Sequence, residues 1–385
     1  MSKTPEDRSG GLNAGMSVAL VAGILLLSNV LRFVLFASVH EDWQFASFID
    51  AFCEQDCGWY TSIYLHGYAK EIGDISGPAR ANWAFFPAYP MLVSLIGRPL
   101  GLSANVAGYL VSNGLILMAA LVARPLFGKH ALAYWLWVSG LLAGPFSFLF
   151  LALYTESLFV LLTLLSLVAL QQRRYLATGL AAAVLSATRP TGVVMTFAIL
   201  AQMLWDHLRD GGKPLGFVPQ LLRDPSRLLA LALAPAGLAL YMIYLYVQTG
   251  DALAFAHIQR GWDRALGNPL ETLYRALTAP VTTQYWELMR ISGAVSAALG
   301  LVLSVALILT GRVAAGLFCL LALLMSLAGG TMSLVRFTAG LAPLGIAIAF
   351  ALGSSRLLAA IAALAGIAAG GTIALGWFNG SLFVM

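Results

Sequence analysis

Glu156 is the only carboxylate between Asp74 and Asp206, and it interrupts the apolar run Phe146-Ser147-Phe148-Leu149-Phe150-Leu151-Ala152-Leu153-Tyr154-Thr155-Glu156-Ser157-Leu158-Phe159. An ionisable group inside an apolar segment is costly to keep there and points into a wet cavity or at a partner. Its spacing leaves two readings open, a functional carboxylate or a structural mate for an arginine or helix end. Arg189, in Thr188-Arg189-Pro190-Thr191-Gly192, and Arg336, in Leu334-Val335-Arg336-Phe337, stand at the ends of apolar runs. A guanidinium offers a rigid fork of donors suited to a phosphate. It is equally suited to a salt bridge with Glu156, or to snorkelling at the membrane surface.

Two longer polar stretches carry the remaining candidates. The first reads Cys53-Glu54-Gln55-Asp56-Cys57-Gly58-Trp59-Tyr60, then His66-Gly67-Tyr68, then Asn82-Trp83-Ala84-Phe85-Phe86-Pro87-Ala88-Tyr89-Pro90. A carboxylate among aromatic rings at a membrane interface can act as a general base, because partial desolvation favours its protonated form and the rings shape a sugar or lipid site. An interfacial aromatic belt with solvated acids is the other reading. Cys53 and Cys57 have a spacing that allows a bridge around Asp56 in an oxidising compartment, or two thiols elsewhere; Cys319 reads as packing. The second stretch runs Thr249-Gly250-Asp251 to His257-Ile258-Gln259-Arg260-Gly261-Trp262-Asp263-Arg264. Trp262 with His257, Gln259 and Arg264 combines stacking with hydrogen-bond donors, as a lid over a polar acceptor would; an interfacial amphipathic helix has the same composition. Glu54 and Asp56 could share a hard cation, but no histidine cluster accompanies them, so neither a metal nor another cofactor is expected.

The elements that must hold these groups follow from composition. Of 385 residues, 60% are hydrophobic and only 10% charged, and the mean hydropathy is +0.84. A soluble domain carries about 25% charged residues, so this chain is a polytopic membrane protein. The net charge is +5, and 18 of the 22 basic residues are arginine, yet no basic run is interleaved with aromatics in the manner of a nucleic-acid surface. No signal-peptide cleavage site follows the apolar run from Met16, which reads as a first transmembrane helix.

Eleven apolar runs approach the length needed to span hydrocarbon, at 16–38, 104–123, 131–150, 154–171, 175–189, 191–207, 228–247, 293–311, 313–330, 338–353 and 357–377. The expected fold is therefore an all-α bundle forming one domain, with long loops at 39–103 and 248–292 on the outer side. Arg124 with Lys129, Arg173 with Arg174, the run Arg209 to Arg227, Arg312 and Arg356 mark the cytoplasmic ends, and the N-terminus is expected there too. Seven of the 17 carboxylates, Asp56 among them, then fall in the first outer loop. The Pro-punctuated stretch 85–100 is expected to dip into the membrane or lie at its surface rather than cross it.

Taken in order, Asp56 with Trp59-Tyr60, Gly67-Tyr68, Phe85-Phe86-Pro87-Ala88-Tyr89-Pro90, Tyr154-Thr155-Glu156-Ser157-Leu158-Phe159, Thr188-Arg189-Pro190-Thr191-Gly192, Thr249-Gly250-Asp251 with Trp262, and Arg336-Phe337 resemble bacterial relatives of the PIG-V type mannosyltransferases. These are integral-membrane glycosyltransferases of the GT-C class. The resemblance spans about residues 50 to 345. It implies transfer of a sugar, expected to be mannose, from a polyprenyl-phosphate donor to a glycolipid or glycan acceptor, with inversion, on the periplasmic face of a prokaryotic inner membrane. It further implies Asp56 as general base, Arg189 and Arg336 on the donor phosphate, and Glu156, Trp59 and Tyr60 about the donor sugar. His257, Gln259, Trp262, Arg264, Phe86 and Tyr89 are then expected at the acceptor or lid. The alternative function is a transporter or flippase for a lipid-linked sugar, which would share the pocket and the arginines but abstract no proton.

Overall fold

The computed structural model describes residues 14–73, 79–262, 264–280 and 284–380, so that Asp74 and Asp263 lie outside the described residues. Among them the chain is helical throughout, with no strand. The N-terminal half comprises α1 (Ala14–His40), α2 (Phe45–Asp50), α3 (Cys57–His66), α4 (Ala88–Gly97), α5 (Ala104–Val122), α6 (Ala131–Ala143), α7 (Glu156–Gln171), α8 (Tyr175–Ser186) and α9 (Met195–Arg209). There follow α10 (Phe217–Arg223), α11 (Pro225–Leu233), α12 (Ala236–Thr249), α13 (Ala254–His257), α14 (Pro269–Thr278), α15 (Tyr285–Leu309), α16 (Val313–Ala328), α17 (Leu334–Ala339), α18 (Ala342–Leu352) and α19 (Arg356–Phe378).

Five helical segments are long and apolar enough to cross a membrane: 15–40, 104–127, 190–209, 285–309 and 356–378. A sixth arises if α11 and α12, bent by 42° at their junction, form one broken span. The eleven uniform runs of the sequence are thus resolved into helices of unequal length. Proline and glycine explain the difference, since an apolar run continues through residues at which a helix cannot. The run 131–150 stops as a helix at Ala143, ahead of Gly144-Pro145, because proline has no N–H to donate and disfavours helical geometry in its predecessor. The run 228–247 breaks at Ala234-Pro235 for the same reason. Conversely α15 begins at Tyr285, eight residues before the run at 293–311 suggests. The 85–100 stretch holds the ten-residue helix α4 after Pro87.

Burial divides the helices by position. α7 is buried on nearly every side and packs against α5 and α8, whereas α1 and α19 turn side chains such as Leu27, Leu357 and Leu364 outward. An apolar helix face exposed in this way is stable only against lipid or a partner. Close packing without large side chains sets several crossings. At Gly237 of α12 an added Cβ would stand 2.0 Å from the Ala183 carbonyl oxygen of α8, so only glycine permits that approach.

A buried arginine ties the first helix to the break in α6. Arg32, 4% exposed, donates from Nη2 to the Leu142 carbonyl at 2.8 Å and to Ser147 Oγ at 2.6 Å. The last carbonyls of a helix lack intrahelical donors, and Arg32 supplies one where Pro145 ends α6.

Candidate functional site

The start of α3, the start of α7, the turn after α8 and the start of α17 meet at one end of the bundle. Asp56 is the N-cap residue of α3, yet its carboxylate makes no capping hydrogen bond. It accepts instead from Arg336 Nη2 at 2.6 Å, across 280 residues of sequence. The loop that presents it is held three ways. Cys53 and Cys57 form a disulfide around it. Tyr154 Oη donates to the Glu54 carbonyl at 2.7 Å. Gln55 takes a left-handed conformation, φ 51°, which costs a non-glycine residue energy and persists where surrounding contacts enforce it.

Glu156 opens α7 and is 1% exposed. Its Oε1 lies 3.1 Å from Arg336 Nε and also bonds Arg189 Nη2, while Oε2 has no hydrogen-bond partner among the described residues. The Arg336 contact is an ion pair by distance, although its angle is too poor for a hydrogen bond. Arg189 also donates from Nε to Thr155 Oγ1 at 2.7 Å. Aromatic faces cover both guanidiniums: Arg336 lies 5.0 Å from the Tyr154 ring centre and 5.3 Å from Phe337, and Arg189 lies 4.9 Å from Phe337 and 5.4 Å from Phe159. The result is a chain of alternating charge, Asp56, Arg336, Glu156, Arg189, buried at Arg336 and Glu156, part-buried at Arg189 and open at Asp56, whose side chain remains 33% exposed.

Above this chain sits a cluster of rings. Trp59 stacks on Phe85 at 5.5 Å and 15°, and Trp262 meets Trp59 edge-on at 5.3 Å. Arg80 fixes Trp262 from outside, its guanidinium 5.5 Å from the ring centre and its Nε donating to the Gly261 carbonyl at 2.9 Å. Tyr60 lies beneath, edge-on to Phe85 at 5.2 Å and to Tyr89 at 5.7 Å. Burial raises the Tyr60 phenol well above its ordinary pKa, the Arg189 charge opposing, so it is a neutral donor. Arg264 forms a third guanidinium near Asp56 and Arg336. Burial lowers its pKa and the Asp56 charge opposes that shift. It remains charged, since no such shift deprotonates an arginine at neutral pH, and no ion pair engages it among the described residues. Two carboxylates therefore face three guanidiniums.

No protein-family model, curated protein or solved structure matches this chain.

The structure brings together Asp56, Glu156, Arg189 and Arg336, with Trp59, Tyr60, Trp262 and Arg264 around them. The other lid candidates make different contacts. Tyr89 is fully buried and its hydroxyl pairs with Ser112 Oγ at 2.7 Å. Phe86 is 2% exposed and packs on Tyr241 at 4.9 Å and Phe255 at 5.2 Å. Both side chains are buried in the core of the bundle rather than exposed at its surface. His257 pairs with Asp251 at 2.7 Å rather than with any residue of the charge chain. Gln259 is half-buried, and its carbonyl accepts from the Arg264 amide at 3.2 Å.

Tyr154, Thr155, Phe159, Phe337 and Arg80 were not singled out by spacing. Four of them adjoin Glu156 or Arg336 in sequence, which is the signal that could have found them. Arg80 had none. Among the described residues no three His, Cys, Asp or Glu side chains gather to hold a metal ion.

Proposed function

We propose that this chain is an inverting GT-C type glycosyltransferase that spans the membrane with about eleven helical segments and moves a sugar from a polyprenyl-phosphate donor to a hydroxyl on a glycolipid or glycan acceptor. The observation that carries the reading is Arg336 held between Asp56 and Glu156, beneath a ring cluster, at one end of an apolar bundle. A carboxylate placed against a guanidinium that could bind the leaving phosphate is what such a transfer requires.

The proposed order of events is compatible with this geometry. In the resting site Oδ2 of Asp56 is committed to Arg336. A donor phosphate brings oxygens that compete for Arg336 and for Arg264, which no ion pair holds among the described residues, and so releases Asp56 toward the acceptor. The acceptor hydroxyl gives its proton to Asp56 as its oxygen bonds to the anomeric carbon. The bond from that carbon to the phosphate oxygen breaks, and polyprenyl phosphate departs as an anion stabilised by the guanidiniums. Glu156 keeps Arg336 and Arg189 oriented, while Trp59 offers a ring face to the sugar and Tyr60 a neutral donor. The Cys53–Cys57 bridge supports an outer, oxidising location for this end, the periplasmic face if the host is prokaryotic.

The test is transfer of radiolabelled mannose from polyprenyl phosphate mannose to extracted host glycolipids by purified protein in lipid. Asp56→Asn should lower the rate about 10²- to 10⁴-fold with donor binding retained. A carrier reading predicts that the variant moves lipid-linked sugar as well as wild type. One bent helix pair, α11 with α12, has no counterpart among the described residues, whereas repeat-built carriers place broken helices in both halves.

A further inference from the structure

At the opposite end of α7, about 22 Å from Glu156 at 1.5 Å per residue, lies a cavity of about 340 Å³. Its lining comes from the ends of α7 and α9, the turn between α15 and α16, and α18, and it combines Arg173, Arg209, Arg312, Asp206 and Gln202 with aliphatic residues such as Leu167 and Ile346.

The charges in this cavity do not balance. Arg173 is satisfied by Asp210 at 2.8 Å, outside the lining, and Arg209 has only a long contact, 3.8 Å, with Asp206. Asp206 also accepts from Gln202 Nε2 at 3.0 Å. The other end of that amide, Oε1, accepts from the Ala314 amide at 3.1 Å, which fixes Gln202 across the mouth of α16. Arg312 is half-buried and its guanidinium lies 4.0 Å from the Phe350 ring centre; among the described residues no carboxylate pairs with it. A guanidinium stacked on a ring keeps its edge donors free, and Arg312 has five N–H groups to place. A partly desolvated cation that no carboxylate pairs among the described residues, at the lining of a cavity within the usual range of ligand sites, attracts an anion.

We propose that this cavity binds a phosphate group, with Arg312 as its principal ligand, Arg209 as the second, and the aliphatic lining residues accepting the chain of a lipid that carries it. The site is distinct from the charge chain around Arg336 and does not depend on the transferase reading.

Native mass spectrometry of the purified full chain, delipidated and then titrated with phosphatidic acid or phosphatidylcholine, tests this directly. Wild type should bind phosphatidic acid at least tenfold more tightly than phosphatidylcholine. Arg312→Gln should weaken that binding about tenfold or more, the loss expected for a charge-assisted hydrogen bond, while Asp206→Asn should strengthen it by removing a repulsive carboxylate and freeing Arg209. Opposite signs in the two variants cannot come from general destabilisation. Inorganic phosphate is the second probe. If it binds with the same dependence on Arg312, the headgroup alone suffices and a soluble phosphate is the natural ligand; if it does not, the lipid chain is part of recognition. Equal affinity for the two lipids, or binding unchanged in both variants, overturns the proposal.

Discussion

Neutralising Glu156 isolates the energy stored in the buried charge chain. Its Oε1 is shared by Arg189 and Arg336, with the latter at 3.1 Å and the carboxylate 1% exposed. At that distance, with an effective dielectric near 20, the Coulomb attraction to one guanidinium is about 5 kcal/mol. Glu156→Gln keeps the shape and loses this term, and it leaves Arg189 with Thr155 Oγ1 as its remaining side-chain acceptor. Removing one partner of a buried pair costs about 3–5 kcal/mol, and that is the loss expected here. Arg189→Met removes a matching positive charge and leaves Glu156 with Arg336. The double variant retains the Asp56–Arg336 pair and the net charge of the wild-type site, so its cost should fall short of the sum of the single costs by about 1–3 kcal/mol. Unfolding of the four proteins by SDS in mixed micelles measures the cycle. Single costs that add to within about 0.5 kcal/mol, or a Glu156→Gln protein as stable as wild type, would refute the view that one carboxylate holds both arginines.

Arg264→Gln should leave unfolding unchanged, since no ion pair holds Arg264 among the described residues, and should raise the donor KM; steady-state kinetics beside the micelle assay separates the two effects. Gly192→Ala should destabilise the site end, because the new Cβ would stand 2.2 Å from the Leu185 carbonyl oxygen and the Gly192 amide is bonded to the Arg189 carbonyl at 2.9 Å. Gly366→Ala, with nothing within 4 Å of its Cβ, is the control and should be neutral or slightly stabilising. The His257 hydrogen bond holds Asp251 below the usual carboxylate range. Its contribution is therefore present above pH about 4, the unfolded value, and is lost as pH falls through the lower folded value. Asp251→Asn should reduce the acid dependence of proteolytic nicking at α13, and an identical acid profile in the variant would remove Asp251 from that role.

Single residues were more legible in the sequence than their partners. Glu156 and Arg336 stand out because a charge in an apolar run has few uses, and the structure joins them. That Asp56 completes the chain was not readable, since a contact across 280 residues leaves no periodic trace. The helices show the same limit. Hydropathy finds an apolar run but registers Pro145 and Pro235 only weakly, although each ends a helix. Phe86 and Tyr89 resembled interfacial rings by composition, and only the inward course of the chain decides that they fill the core. Arg32 sat unnoticed in the first span, where its value lies in two acceptors more than 100 residues away.

The ring closed by Cys53 and Cys57 gives Asp56 a maturation history as well as a position. Translation delivers that loop with two free thiols, and the loop reaches its clamped form only after an oxidant has acted on it. In the proposed orientation, with this end on the oxidising side, a copy inserted the other way round would hold the loop among cellular reductants and leave the ring open. Such a copy would carry every residue of the site and still lack the covalent brace around Asp56. On that proposed orientation the bridge would act as a proofreading mark on insertion, written once by the compartment the loop has reached.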